Sequence, residues 1–339
     1  MKRMYVIWII VASGFVLLLS ACGGEKSKED VVSELEESME DMSGYKAKAE
    51  MSMNTGQEEQ KFTIDIWHKK EELYRVSLQN DQDEKGNQII LKNDDGVFVL
   101  TPALNKSFKF QSEWPDNSSQ PYLYQSLVKD VMSDSEAEFE TNDSSYIFKT
   151  KTNYQSNNNL PFQEIHFDKK TYTPVLVKVM DQDRNALVEV KFSTFEMQVT
   201  FEDDDFTMDK NMASGTIDEP VSGEVTDDDL TVVYPLYKAG AELAEKREVD
   251  LENGKRVILT FSGEKNFTLV EEKSTVLPTF SSPKEVRGDI VNLGHTVAAL
   301  SNNTLEWSHD GVDFILASDQ LTKAELIEVA QSVESKEVK

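Results

Sequence analysis

The sequence is poor in cysteine, histidine and basic residues. Cys22 is the only cysteine among 339 residues, so no disulfide can form within the chain and stability must come from packed cores. Lys and Arg number 35 against 62 Asp and Glu, which gives a formal net charge of −27. A chain this acidic lacks the basic footprint that nucleic-acid binding needs, and it disfavours broad adhesion to anionic lipid headgroups. We expect no nucleic-acid partner.

Patterns that carry chemistry are also scarce. No HExxH, GxSxG or P-loop pattern occurs, and the carboxylates are too abundant for any pair of them to indicate acid/base catalysis. The acidic runs Asp203–Asp205 and Asp227–Asp229 are typical of solvated loops. We therefore predict no enzymatic activity, no cofactor and no metal site. The histidines are far apart and share no metal-ligand spacing: His68, His166, His295 and His309.

The one long hydrophobic run lies at the N-terminus. Lys2 and Arg3 precede apolar residues 4–19, and Leu-Ser-Ala-Cys-Gly follows at 19–23. A run of about 16 apolar residues is short for a membrane span, which needs ~20. The pattern is typical of a secretory signal that ends in a lipobox. It predicts a signal peptide at 1–21, S-diacylglycerol on the Cys22 thiol, and a mature protein anchored by lipid to the outer face of the cytoplasmic membrane. Whether the new N-terminus is also acylated stays open.

The rest of the chain divides by composition. Residues 22–30 are small and charged, which indicates a short tether. A polar, acidic stretch at 211–229 then separates two apolar, patterned regions. We predict a half-barrel domain at 31–215 and a small C-terminal α+β domain at 230–339, and we expect each of them to fold separately.

Amphipathic strands dominate both regions. Apolar residues occupy every odd position from Tyr45 to Met53, and several later segments alternate in the same way. Helical spacing marks residues 32–42 and 124–131, and Thr322 with Glu325 predicts a capping box. The predicted fold class is α+β, mostly antiparallel β. It consists of a curved half-barrel sheet covered by helices and a smaller α+β domain.

A curved sheet rich in large apolar side chains can enclose a cavity. The side chains could equally fill an ordinary core, and the sequence does not decide between these alternatives. If a cavity exists, its candidate lining is Met51, Met53, Ile64, Ile66, Tyr74, Phe98, Phe108 and Phe110.

This order of elements resembles a known family. The lipobox, a helix, Met-Ser-Gly-Tyr at 42–45, and then alternating strands with one covering helix resemble the lipoprotein-carrier fold of LolA, LolB and RseB over about residues 30–210. The whole chain, lipobox included, is more similar to sporulation lipoproteins of the YdcC and GerS type. Its C-terminal segment, with Tyr-Pro-Leu-Tyr at 234–237, Phe-Thr-Leu-Val at 267–270 and Gly-Val-Asp-Phe at 311–314, resembles a small accessory domain found after such half-barrels. The resemblance implies a helix-covered half-barrel with an apolar cavity or a partner-binding face, and no enzymatic activity.

Two functions follow as expectations. The first is a membrane-anchored extracytoplasmic lipoprotein that binds an acyl or lipoprotein ligand in its half-barrel, during sporulation or spore germination. The alternative is a regulatory or scaffold lipoprotein that binds a protein partner, such as a cell-wall hydrolase or a signalling protein. A continuous apolar cavity would favour the first function, and a filled half-barrel with an exposed apolar patch would favour the second.

Overall fold

The computed structural model of the protein describes residues 25–54, 59–70, 72–80, 87–116, 119–154, 160–213, 230–251, 254–274, 282–293, 296–309 and 311–334. The predicted signal peptide, Cys22 and most of the predicted domain junction lie outside these residues. The helices are α1 (Lys28–Asp41), α2 (Tyr124–Ser133), α3 (Met208–Ala213) and α4 (Lys323–Gln331), with a 3₁₀ turn at Pro102–Leu104.

The strands form one large sheet, one smaller sheet and one short pair. Those of the large sheet are β1 (Gly44–Met53), β2 (Gln60–Lys69), β3 (Leu73–Gln79), β4 (Gln88–Asn93), β5 (Gly96–Thr101), β6 (Lys106–Gln111), β7 (Glu138–Thr141), β8 (Ser145–Lys151), β9 (Phe162–Asp168), β10 (Pro174–Met180), β11 (Ala186–Met197) and β16 (Lys284–Arg287). The smaller sheet contains β13 (Ala241–Leu251), β14 (Gly254–Gly263), β15 (Phe267–Lys273), β17 (Asp289–Asn292), β18 (Val297–Leu300), β19 (Thr304–His309) and β20 (Val312–Ala317), and the pair is β12 (Tyr234–Pro235) with β21 (Val333–Glu334).

The large sheet has the order β16-β6-β5-β4-β3-β2-β1-β11-β10-β9-β8-β7. Strands β1 to β11 pair antiparallel with their neighbours, and β16 pairs parallel with β6. The odd positions of β1 from Tyr45 to Met53 are buried, as the alternation predicts. We call this sheet with α1 and α2 the half-barrel.

Helices cover both faces of the large sheet, but unequally. Helices α1 and α2 pack on one face, where Val31 and Leu35 of α1 and Leu127 of α2 are fully buried. Helix α1 begins with a capping box in which Ser27 and Asp30 bond each other's backbone N–H groups. On the opposite face, α3 and the segment before it pack mainly on β4 and β5, with Trp67 of β2 and Leu73 of β3 at the border of this cluster. The expected fold class is confirmed.

The smaller sheet has the order β13-β14-β15-β20-β19-β18-β17 and carries its own core. Helix α4 packs on it through Leu326 and Val329, both fully buried. The predicted capping box is confirmed, because Thr322 and Glu325 each accept a hydrogen bond from the other's backbone N–H.

The two cores meet along one side of the half-barrel. Strand β16 lies in the C-terminal region of the chain, yet it extends the large sheet, with Val286 beside Phe110. Ile290 and Val297 belong to the half-barrel core as well. The Val297 N–H donates to Gln88 Oε1 at 2.9 Å. The division at 31–215 and 230–339 remains a prediction.

Candidate functional site

The interior of the half-barrel is filled by its own aromatic side chains. Tyr45 stacks on Phe195 with ring centroids 4.7 Å apart, and Tyr124 of α2 meets both rings edge-on. His68 lies against Tyr74, and burial lowers the pKa of His68 to about 4. This histidine is therefore a neutral member of the core at physiological pH. Tyr45 and Tyr124 are both fully buried, and their rings occupy the interface between α2 and the sheet.

An apolar cavity remains at one end of the half-barrel, where α4 and β17 approach β1 and β11. Its volume is about 70 Å³. A cavity of ~150 Å³ can hold benzene, and pockets for small-molecule ligands usually span ~300–1,000 Å³. The space therefore suits one small apolar group. Its apolar lining consists of Met51, Met53, Ile90, Pro121, Tyr122, Tyr154, Leu160, Val188, Ile290, Val291, Val297 and Ile327.

One wall of the cavity is polar. The segment that leads into α2 contributes Ser119 and Gln120, and Gln120 Oε1 accepts a hydrogen bond from the Tyr122 hydroxyl at 3.1 Å. Behind this wall, Gln163 Nε2 donates to Asp130 Oδ2 at 2.6 Å. Burial raises the pKa of Asp130 to about 6, against the opposing effect of hydrogen bonds from Gln163 and Ser119. The wall can hold a polar end of a bound group.

A larger cleft opens between β6 and β16 of the large sheet and the face of the smaller sheet. Its volume is about 270 Å³. Ile315 forms part of its surface and is 40% exposed, although most large apolar side chains of the smaller sheet are buried. The other apolar lining residues are Val99, Phe108, Phe110, Val286, Val297, Ala299, Trp307 and Phe314.

Charged pairs line the rim of the cleft. Arg256 Nη2 lies 2.6 Å from Glu272 Oε2, and Lys284 Nζ lies 3.8 Å from Glu306 Oε2. Asp313 accepts hydrogen bonds from Ser274 and Ser308, both at 2.6 Å. An apolar floor with a polar rim is the usual anatomy of a protein–protein interface. The cleft can therefore take apolar side chains below and pair with a peptide's polar groups above.

The structure does not bring the eight candidate residues together. Met51 and Met53 line the cavity, whereas Phe108 and Phe110 line the cleft. The other four line neither: Ile64, Ile66 and Tyr74 are core residues beneath the helices, and Phe98 is on the opposite face of the sheet with the α3 cluster. Phe98 is there because side chains alternate between faces along β5.

Several lining residues lie far along the chain and are absent from the sequence-based candidates. The sequence does contain one indication that Ile315 lines a surface. Phe-Ile-Leu at 314–316 places apolar side chains on both faces of β20. The sequence gives no such indication for Val286 and Ile290, because each lies in a strand of only four residues, which is too short for a periodic pattern.

The acidic residues at the end of the half-barrel region converge on a lysine. Glu202, Asp204 and Asp205 place carboxylate oxygens within 4.8 Å of one another. Lys210 Nζ lies 2.7 Å from Asp204 and 2.8 Å from Asp205. The Lys210 ammonium group therefore already neutralises the negative charge that these carboxylates would otherwise offer to a metal cation.

Comparison with known proteins decides the family. The family model described as "Sporulation protein YdcC-like" matches residues 1–206. The protein named sporulation protein YdcC of Bacillus subtilis (strain 168) is 46% identical over 342 residues, covering 100% of both chains. The chain belongs to the YdcC-like sporulation protein family. The resemblance inferred from the sequence is thereby confirmed at the level of family.

Solved structures show more distant likenesses. The Pseudomonas aeruginosa MucA/MucB complex contains a chain that is 13% identical, with a TM-score of 0.36 over 92% of this YdcC-like chain and 99% of that one. A putative outer membrane lipoprotein-sorting protein domain from Vibrio parahaemolyticus is 15% identical, with a TM-score of 0.33 over 55% of this chain and 100% of that one. Neither likeness is close enough to indicate what this chain binds.

Among the described residues of this YdcC-like protein, no helix has the length and hydropathy needed to cross a bilayer.

Proposed function

We propose that this protein is a lipid-anchored, extracytoplasmic binding protein that acts in sporulation without chemical turnover. Family membership and the name of the relative from Bacillus subtilis support the sporulation role. The lipobox that ends at Cys22 supports the anchor on the outer face of the cytoplasmic membrane. The absence of a nucleophile motif and the wide separation of the histidines in the sequence support a non-catalytic role.

The observation that carries the proposal is the contrast between the filled half-barrel and the open cleft. A space of about 70 Å³ is too small for a diacyl lipid, whereas a cleft of about 270 Å³ with an apolar floor approaches the usual size of a binding pocket. We therefore place a protein partner first, bound through apolar side chains at Phe108 and Ile315. The charged rim of the cleft would fix the partner's orientation.

An apolar ligand is the second candidate, and the lining of the cavity favours it. Met51 and Met53 are flexible side chains that can rearrange around a guest, so this part of the cavity lining can adapt to it. A short acyl group or a single lipoprotein side chain would fit this description.

The test compares Ile315→Glu with Leu243→Glu. Both side chains are 40% exposed in the smaller sheet, but only Ile315 lines the cleft. A carboxylate in the cleft would be desolvated by a bound partner, which costs several kcal/mol. Ile315→Glu should therefore reduce sporulation or germination to the level of a deletion strain, and Leu243→Glu should behave like the wild type.

Melting temperatures and protein levels control for misfolding, and native mass spectrometry of the purified full chain separates the two candidates. Val188→Phe fills the cavity, whereas Val175→Phe changes an exposed residue. A lipid that co-purifies with the wild type and with Val175→Phe, but not with Val188→Phe, would favour the apolar ligand. A folded Ile315→Glu protein with normal function would exclude the cleft as the binding site.

A further inference from the structure

The residues just after Cys22 are attached to one end of the half-barrel, although their sequence predicts a free tether. Thr141 Oγ1 donates to Glu25 Oε1 at 2.8 Å. Lys26 Nζ donates to the Tyr172 hydroxyl at 2.7 Å and to Glu34 at 2.7 Å. Lys28 Nζ donates to the carbonyl oxygen of Ala137 at 2.6 Å. The chain is thus held in place within three residues of Cys22.

These contacts also give the chain a direction. Glu25 lies at the end of β7, beside Thr141, and Lys28 lies before its start, beside Ala137. The segment therefore runs antiparallel along β7, and its first described residue, Glu25, lies next to the β7–β8 turn. Three residues span at most roughly 11 Å. An acyl group on Cys22 would therefore hold this turn close to the bilayer.

The β9–β10 turn lies at the same end of the sheet. Ser145 is the register partner of Asp168, and Lys169 Nζ lies 3.6 Å from Glu25. We call residues 25–28, 142–144 and 168–172 the anchor end. It contains four basic and three acidic residues, in a chain with 35 basic and 62 acidic ones. An anionic lipid surface therefore does not repel the anchor end, although it repels the acidic remainder of the protein.

We propose that the anchor end rests on the lipid headgroups of the bilayer and that the half-barrel strands stand away from it. This inference rests on the proposed acylation of Cys22. Strand β8 runs from this end, at Ser145, to Thr150, whose register row continues through Gln163, Val179 and Val188 to Met53. The five steps from Ser145 to Thr150 span about 17 Å at ~3.3 Å per residue. The cavity beside Met53 therefore lies about 17 Å from the anchor end along the strands and receives its guest from the aqueous side.

Single-cysteine labelling tests this orientation, because acylation consumes the only native thiol. Asp143→Cys and Lys170→Cys place a fluorophore in two exposed turns of the anchor end. Asp183→Cys is the matched control, since it is an exposed aspartate in the β10–β11 turn at the opposite end of the same sheet. Each full-length variant is produced with its lipid, reconstituted into vesicles that contain brominated phospholipid, and separated by flotation.

Probes at 143 and 170 should lose most of their fluorescence to the brominated lipid, and the probe at 183 should keep it. A protein that floats but shows equal quenching at 143 and 183, or none at 143, would overturn the orientation alone. A protein that does not float would overturn the acylation of Cys22, and this inference with it. The two failures are therefore distinguishable.

Discussion

A buried carboxyl group makes the stability of the smaller sheet depend on pH. Glu271 of β15 is fully buried in that core, and its Oε2 accepts a hydrogen bond from the Val233 N–H at 3.1 Å. Its Oε1 has no partner among the described residues. Burial raises the pKa of Glu271 to about 7, although the bond from Val233 and the charge of Lys246 oppose the increase. We predict that Glu271→Gln stabilises the protein at alkaline pH and not at acidic pH.

The sign follows from proton linkage. The unfolded chain releases the Glu271 proton near pH 4.5, whereas the folded protein keeps it up to about pH 7. The contribution of the protonated group is therefore fully present below pH 4.5 and is lost as pH rises through 7. At 1.36 kcal/mol per pKa unit, the loss is about 3 kcal/mol, which corresponds to a shift of roughly 12–24 °C in melting temperature for a domain of ~100 residues such as the one predicted at 230–339.

The assay measures the melting temperature of the variant minus that of the wild type, from pH 4 to 9. This difference removes the pH dependence of other groups, including Asp130, whose pKa is also raised by burial. Glu272→Gln is the matched control, because Glu272 is the next residue but accepts hydrogen bonds from Arg256 at the edge of the cleft. The Glu271→Gln difference should grow between pH 5 and 8. A difference that stays constant over this range would refute the reasoning.

Three further predictions concern the anchor, the domain junction and a glycine. Cys22→Ala should lose both fatty-acid labelling and membrane association, and equal labelling of the two proteins would contradict the lipoprotein prediction. Limited proteolysis should cut first between about residues 205 and 232, where little apolar surface can be buried; first cuts within β9–β11 would contradict this map. Gly288→Ala should lower the melting temperature more than Gly311→Ala. Both glycines have positive φ, but only at Gly288 would a Cβ lie 2.4 Å from the Leu300 carbonyl oxygen. Equal decreases in melting temperature would show that the structure relaxes around the new Cβ, and would contradict the prediction.

The sequence predicts local structure well where a physical signal is complete within a few residues. The alternation from Tyr45 to Met53 predicts β1 and its buried face, and the Asp-Asp-Gly at 94–96 predicts the β4–β5 hairpin. The Thr322 capping box likewise needs only four residues. In each case the interactions that stabilise the element are local.

The candidate site could not be assembled in the same way. Alternation shows that Phe98 and Phe108 each lie on one face of a strand, but not which face meets α1 and α2. It also cannot show that residues near Ile290 and Ile315 pack against the half-barrel, since that contact depends on the long-range pairing of β16 with β6. The cleft lies beside this pair of strands, and the cavity needs Ile290 and Val297 of the C-terminal region.

The late position of β16 in the chain also bears on how the protein is made. Strand β6 ends at Gln111, and its edge partner begins only at Lys284. A nascent chain emerges from its N-terminus, so the edge of β6 keeps unpaired N–H and C=O groups until most of the protein has been synthesised. Such an edge can pair with other chains, which makes the partly synthesised protein prone to aggregation. Chains terminated before residue 284 would keep this open edge and would be the ones that depend most on chaperones.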